Sequence, residues 1–424
     1  MKSNPVTLIG DAFEQKYKWA GGAVGGLGHV YAAPSNHRRI LKINPNNGVT
    51  EFLGQQTGKE KLIGYEIEGN SKYSGGVRAS NGCIYFAPNS AMKVLKYNPR
   101  ANTIQYIGSA YKSSGKWDDE TIGKWCGGTQ GSDGCLYFAP LEKSQILRVD
   151  PSNNNDSTLL VGKHLGSNNK HKFSGCVASK DNKTIYFIPL DYNRLMEFDV
   201  ATQACKFVDV GRLHPEQTQK WTGGVLGPDG CIYGIPGNAN KILKYDPQSK
   251  RATLVGAYLG DHPYKYAGGV LGSDNCIYCI PYNANRVLRY NIVDETTTLV
   301  GGSFPGTRKW SGGVACANGT IIGIPFNHPR ILKIDPKPKI DFIALAEESM
   351  VVTRETLMLV SDKPNLLQEF LQRQKDTREF FRKKLEAEFF RKKIESSVVI
   401  DLASDSECEN IPDNISSGKK RRFC

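Results

Sequence analysis

No stretch of eighteen apolar residues occurs anywhere in the 424-residue chain, and Met1-Lys2-Ser3-Asn4-Pro5 opens no apolar segment of the kind a secretory signal needs. The expectation is a soluble intracellular protein with no membrane attachment. Also missing, ahead of the C-terminal region, is any apolar run with the length and spacing of an amphipathic helix. A cysteine pairing pattern is the third absence. Of the 11 cysteines, Cys83, Cys135, Cys231 and Cys276 fall at one equivalent place in four repeats, and equivalent places on separate repeats cannot readily pair. They read as small, semi-apolar residues of a reducing compartment. Cys276-Ile277-Tyr278-Cys279 is a lone CxxC on a predicted strand, its members sent to opposite faces by their odd spacing. Without a second ligand pair it argues against zinc or redox chemistry, and no metal or cofactor is expected.

What the chain has is one phrase used seven times, clearest as KWTGGVLGPDGCIYGIPGNANKILKYDPQSKRATLVG from Lys220 to Gly256. Its opening aromatic falls at Trp19, Tyr73, Trp125, Phe173, Trp221, Tyr266 and Trp310, at intervals of 44 to 54 residues. That is the period of a propeller blade. Within a unit, short apolar alternations interrupted by Gly or Pro-Asp-Gly read as four strands. In the fifth unit these are Gly223 to Gly227, Cys231 to Ile235, Ile242 to Tyr245 and Thr253 to Val255, the first pair joined by the Pro228-Asp229-Gly230 turn. Such a sheet cannot bury its faces alone, so neighbouring copies must stack around an axis.

Val6-Thr7-Leu8-Ile9-Gly10 looks like a fourth strand with no unit before it, and the seventh unit lacks that strand after Asp335-Pro336. The N-terminus therefore completes the last blade and closes the ring, removing open sheet edges. The alternative takes Ile340 to Leu345 as the missing strand. The fold expected is all-β, a seven-bladed β-propeller closed by an N-terminal strand over residues 1–345, then a helical extension over 346–395 and a disordered tail over 396–424.

Blades such as GPDGCIYGIP followed by NKILKYDP resemble those of the streptogramin lyase-like and related seven-bladed propellers, in which Gly-Pro-Asp-Gly and an aromatic on the second strand recur. The resemblance covers roughly Met1 to Leu345. It implies that the first strand of each blade is innermost, with its start near one mouth of a central channel. It does not carry activity, because the catalytic His and Glu of those enzymes have no matching motif here.

Charge is unevenly spread. From Asp341 onward 15 Lys plus Arg face 16 Asp plus Glu, whereas residues 1–340 hold 40 against 26. A lysine precedes every opening aromatic: Lys18, Lys72, Lys124, Lys172, Lys220, Lys265 and Lys309. With the first strand innermost, these ammonium groups are expected to ring the channel mouth. A second basic position, five residues after each repeated proline, gives Arg39, Lys93, Arg194, Lys241, Arg286 and Arg330, with Gln145 as the exception. Two concentric sets of cations on one surface would focus positive potential and capture an acidic protein or a nucleic acid in a salt-dependent way. Purely structural roles for both sets are the competing interpretation, a lysine stem covering an aromatic and an arginine bonding carbonyls. His37 and His328, three residues after Pro34 and Pro325, lie in blades that become neighbours on closure. An acid/base or metal site there is conceivable, although no carboxylate recurs beside them.

Beyond the ring, Leu366 to Glu395 lacks Gly and Pro and reads as a helix with tandem copies, Glu379 to Ala387 and Glu388 to Ser396. A nine-residue shift turns the second copy to the opposite side of the helix, so its phenylalanines make two apolar surfaces that a partner or a second copy of the chain would cover. Val398-Val399-Ile400-Asp401-Leu402, followed by Ser404-Asp405-Ser406-Glu407, resembles a SUMO-interacting motif. Such a segment adds as a strand to the sheet of SUMO, its acids meeting a basic rim. Lys419-Lys420-Arg421-Arg422 resembles a monopartite nuclear localisation signal, read by an import receptor. The function expected is a nuclear, non-enzymatic interaction platform whose basic face holds an acidic partner while its tail recruits SUMO. The alternatives are a lyase or hydrolase at the channel mouth and a purely structural scaffold.

Overall fold

Seven antiparallel sheets of four strands each make up the structure, a computed structural model that describes residues 5–53, 69–111, 123–152, 156–166, 171–214 and 217–336. The expected helical extension, the SUMO-interacting segment, the nuclear signal and the alternative strand at Ile340 to Leu345 lie outside these residues. Inner strands run Trp19–Val24, Tyr73–Arg78, Trp125–Gln130, Phe173–Ala178, Trp221–Leu226, Tyr266–Leu271 and Trp310–Ala315, and they open blades 1 to 7. The only helix among the described residues is the short 3-10 turn Gly211–Leu213.

The N-terminal strand Val6–Ile9 pairs antiparallel with Ile331–Ile334, Val6 opposite Ile334 and Ile9 opposite Ile331, and supplies the fourth strand of blade 7. Closure joins the first described segment of the chain to the last. Val6 is buried with Cys276, Tyr278 and Trp310 in one core cluster, so closure also seals the contact between blades 6 and 7.

The second strand of each blade is the dry layer. Val30–Pro34, Ile84–Pro88, Leu136–Pro140, Ile232–Pro236, Cys276–Pro281 and Ile321–Pro325 are buried at every position, because a blade is packed on both faces by its neighbours. For this reason Cys276 and Cys279 are both buried although they point to opposite faces of their strand. Tyr137, Tyr233 and Tyr278 on these strands donate their hydroxyls to Asp133, Asp229 and Asp274 of the preceding turn at 2.8, 2.7 and 2.9 Å. This bond explains why a turn aspartate and a strand-two aromatic recur together.

The axis is built from glycine. An added Cβ on Gly21 would lie 2.8 Å from the Cα of Gly75, one on Gly75 2.7 Å from Gly127, and one on Gly127 2.8 Å from Gly175. The circuit continues through Gly223, Gly268 and Gly312 and returns to Gly21, where the approach is 3.0 Å. All seven glycines have positive φ, from 56 to 84°, which any side chain would strain. Each lies within a register shift near the start of its inner strand, as Gly21 does between Trp19 and Gly22.

The ring should therefore separate two glycine substitutions that share a backbone conformation. Gly82 has φ 81° and open space around its missing Cβ, so Gly82→Ala should cost about 1 to 2 kcal/mol. Gly75→Ala adds a backbone clash and should cost about 3 kcal/mol or more. Urea unfolding of the two variants measures this difference, and equal losses would show that the blades do not meet so closely at the axis.

Candidate docking face

Strand registers place all the predicted cations on one side of the disc. Trp19 pairs with Pro34 and Ile40 with Leu53, so the start of strand one, the loop from strand two to strand three and the end of strand four emerge together. The lysines and the post-proline cations share this face, the lysines near the axis and the others further out.

The seven lysines form equivalent inter-blade ties and are not an open ring of charge. None is more than 3% exposed. Each backbone N–H donates to the residue after the repeated proline of the preceding blade, from Lys18 to Phe326 at 3.0 Å through Lys124 to Asn89 at 2.8 Å to Lys309 to Tyr282 at 2.9 Å. The ammonium groups then fold back onto carbonyls. Lys124 Nζ reaches Ser90 O at 2.5 Å, Lys172 reaches Glu142 O at 3.0 Å, and Lys265 reaches both Asn238 O and His262 O at 2.9 Å. Lys18 and Lys72 donate to Gln15 O and Gly69 O, each at 2.7 Å, Lys220 to Asp191 O at 3.1 Å and Lys309 to Gly306 O at 2.7 Å. The expected ring of open charge does not form because a side chain at this position reaches carbonyls of its own entering linker or of the preceding blade's loop before it reaches water. Burial pushes the Lys18, Lys72, Lys124, Lys265 and Lys309 ammoniums down to about 8 and also lowers Lys172 and Lys220, while the carbonyls favour the charged form.

The residue before each lysine completes the tie. Tyr17, Ser71, His171, Gln219, Tyr264 and Arg308 all have positive φ, between 48 and 55°. Five of these strained turns are met by a side-chain acceptor from the preceding blade, Asn327, Asn36, Asp191, Asn238 and Asn283 receiving the backbone N–H groups of Tyr17, Ser71, Gln219, Tyr264 and Arg308. The asparagines two residues after the prolines were visible in the repeat. Their partners vary in type, so the sequence carries no signal for the bond.

The outer cations remain at the surface. Arg286 donates through Nη2 to Gly301 O at 2.8 Å and Arg330 through Nε to Gly10 O at 3.2 Å, at the ends of outermost strands. Gln145, the exception in the pattern, makes the same kind of bond to Gly162 O at 3.1 Å. One demand on this position is thus a long donor, which glutamine meets without charge. Arg194 lies over Tyr192 and Phe207, 5.2 and 4.9 Å from the ring centres. Arg39 offers its carbonyl to the Trp19 indole at 2.8 Å. Lys93 is exposed and Lys241 half-buried, and among the described residues neither is ion-paired.

His37 and His328 do not come together as a site. Each stacks on the tryptophan of its own blade, His37 on Trp19 at 4.4 Å and His328 on Trp310 at 4.2 Å. Each Nδ1 accepts the N–H two residues on, from Arg39 and Arg330, at 3.1 Å. Burial lowers both imidazoles below the usual histidine range. They are packing groups of the loop. Among the described residues, no cluster of three metal-ligating side chains occurs.

The channel mouth on this face opens a cavity of about 380 Å³ lined by inner-strand glycines with Leu141, His171, Leu190, Tyr264 and Tyr282. Its surroundings are asymmetric. On one side Tyr264, Tyr282, Phe326 and Tyr17 follow one another at 5.3 to 6.5 Å, and Arg308 donates to the Tyr17 hydroxyl at 2.9 Å. On the other, His171 stands between Glu142 and Asp191, at 3.3 and 3.5 Å.

No protein-family description matches the sequence, and no curated protein does. Among solved structures the chain is similar to a streptogramin B lyase, at 15% identity over 77% of this chain and 97% of that one, with a TM-score of 0.58. It is similar also to a chain of the mitotic checkpoint complex, at 11% identity over 78% and 93% with a TM-score of 0.55. A third likeness is to the Swd1 β-propeller domain of Myceliophteria thermophila, at 9% identity over 78% and 100% with a TM-score of 0.52. At these identities the likeness shows the seven-bladed propeller fold and nothing finer.

The lysine ties have a pH signature. A lysine whose folded value lies near 8 binds fewer protons in the folded than in the unfolded chain between pH 8 and about 10.4, so its contribution to stability rises with pH across that window and is lost on descent through 8. Lys309→Met should lower the melting temperature, and its gap from the unmodified protein should widen from pH 8 to pH 10. Comparing the two proteins cancels the opposing titration of shared cysteines and tyrosines. A gap that is constant or narrows with pH would mean that Lys309 is not desolvated in the fold.

Proposed function

We propose that this chain is a non-enzymatic interaction platform of the nucleus. Its loop face, bearing Arg39, Lys93, Arg194, Lys241, Arg286 and Arg330, holds an acidic protein or nucleic acid, and its tail from Val398 to Leu402 adds as a strand to SUMO. Lys419 to Arg422 serve an import receptor. The observation that carries the reading is the division of labour among the repeated cations: the buried lysines are used up in holding the blades, whereas the outer set stays at the surface of one face. Repetition spaces these charges around the disc, an arrangement suited to an extended polyanion. Propeller chains of this shape also occur in a mitotic checkpoint complex, which supports protein partners in general. A lyase or hydrolase reading would have to run through His171 at the channel mouth, yet a carboxylate stands at each of its ring nitrogens. Attachment of a SUMO-bearing partner at the tail would raise its local concentration over the face, so that two weak contacts act as one stronger contact.

Two measurements bear on this reading. Full-length protein titrated with an acidic peptide and with a single-stranded RNA should bind at least one of them in a salt-dependent manner, and Lys93→Glu combined with Lys241→Glu should weaken that binding on the order of tenfold without lowering the melting temperature. Affinity indifferent to both salt and charge reversal would favour a structural scaffold. Separately, replacing Val399, Ile400 and Leu402 with Ala should abolish binding to SUMO while the ring stays folded. Retained binding would remove the tail from the proposal.

A further inference from the structure

Outside each inner strand, on the loop face, lies a compartment that most blades fill with aromatic rings. In blade 1 it holds Trp19, Phe13, His37 and Phe52, all in ring contact, with Phe13 edge-on to Trp19 at 5.0 Å and His37 to Phe52 at 4.9 Å. In blade 7 it holds Trp310, His328 and Phe304, the last edge-on at 5.2 Å. Tyr111 covers Trp125 in the same way, and His214 covers Trp221.

Blade 6 departs at every one of these positions. Tyr266 replaces the tryptophan, Leu259 the covering aromatic, Ala284 the stacked histidine, and Leu299, paired opposite Leu288, replaces Phe52. The equivalence of the covering residue is fixed by its backbone bond, Leu259 N–H to Asn240 O in one linker and Phe304 N–H to Asn285 O in the next. The smaller side chains leave a cavity of about 450 Å³, and Leu299 on its wall is 51% exposed. Tyr266 is buried in the lining, and its hydroxyl has no hydrogen-bond partner among the described residues. The rim carries positive charge and amides: Arg286, whose Nε and Nη2 are pinned to Gly301 O, together with His262, Asn283 and Asn285. The nearby acid, Asp261, already accepts the Tyr258 hydroxyl at 2.6 Å.

We propose that the blade 6 cavity binds a planar aromatic group bearing a carboxylate, the ring taking the place that tryptophan and its covering aromatic occupy in the sister blades and the carboxylate meeting Arg286. The site is independent of the platform reading, since it needs neither the other outer cations nor the tail. Its ligand is either a free aromatic acid or an aromatic residue within an acidic peptide.

The test titrates the full-length chain with indole-3-acetate, with neutral indole, and with a tryptophan-containing acidic peptide, following saturable binding by calorimetry or NMR. Binding of at least one of the two carboxylate probes is expected, and whichever is tighter identifies the source. Arg286→Gln should weaken the carboxylate probes about tenfold and leave indole nearly unchanged. The decisive variant restores the residues of blade 7, Leu259→Phe with Ala284→His, which should abolish binding while holding or raising the melting temperature. If that pair does not fold, Ala284→Leu alone fills the same wall and should weaken binding of the carboxylate probes about tenfold. Absence of saturable binding by both carboxylate probes, or binding unmoved in a folded variant whose cavity is filled, would overturn the proposal.

Discussion

A charged group held in a dry place by its neighbour's backbone is the interaction on which the disc depends. Each repeated lysine begins an inner strand, and its own carbonyl accepts hydrogen bonds from the following loop, as Lys220 O does from Gly237 and Ala239. Its N–H meanwhile binds the loop of the blade before, and in blades 3 to 7 its ammonium group does so too. One residue thus fixes both the loop of its own blade and the seat of that blade on the last. An isolated ammonium could not be buried this way, because the loss of hydration is offset only where acceptors replace water. The carbonyls supply that replacement and need no carboxylate, so all the ties can carry the same sign without pairing one to one with acids. The glycine circuit at the axis sets how near the inner strands come, and the lysines set how each blade is hung.

Much of this was legible in the chain, and the rest was hidden for identifiable reasons. The Trp-Xaa-Gly-Gly opening, the Gly-Pro-Asp-Gly turn and the period place the inner and second strands to within about two residues, because alternation and turn chemistry are local. Closure by Val6–Ile9 was readable because a fourth strand stood without a blade and a blade stood without a fourth strand. Whether a recurring lysine faces water or a neighbour's carbonyl was not, since repetition reports a shared demand and is silent on its kind. The same limit applied to His37 and His328, which chain order made neighbours across the closure while ring stacking kept each on its own tryptophan. A long side chain on a short loop is governed by what lies within its reach, and that is a property of the assembled ring.

The two faces of the disc treat charge differently. Away from the loop face, cations on the third strands or in the turn after them are neutralised by carboxylates: Lys96 by Asp156 at 2.5 Å, Lys250 by Glu197 at 2.9 Å and Arg289 by Asp274 at 2.9 Å. Asp156, Glu197 and Asp274 are themselves buried, and each also accepts a tyrosine hydroxyl. These networks bind neighbouring strands and blades and leave little free charge. On the loop face Arg286 and Arg330 bond to neutral carbonyls and Arg194 lies over aromatic faces, contacts that anchor a guanidinium without cancelling its charge.

A ring of near-identical units has no preferred direction, so any specific contact must come from blades that differ. Blades 3 and 4 bring Glu142 and Asp191 to a loop position where four of the others carry asparagine, and His171 occupies the space between them. Blades 6, 7 and 1 place aromatic side chains around the opposite arc of the mouth. Blade 6 leaves its outer compartment open between Leu259, Leu299, Ala284 and Tyr266, and blade 2 leaves one open beside Tyr73, Ala91 and Tyr106. None of these departures disturbs the glycine circuit or the lysine ties, which are complete in all seven blades. The invariant parts carry stability, and that freedom lets loop and compartment residues vary without unseating a blade. A partner that reads this surface therefore reads the exceptions to the repeat.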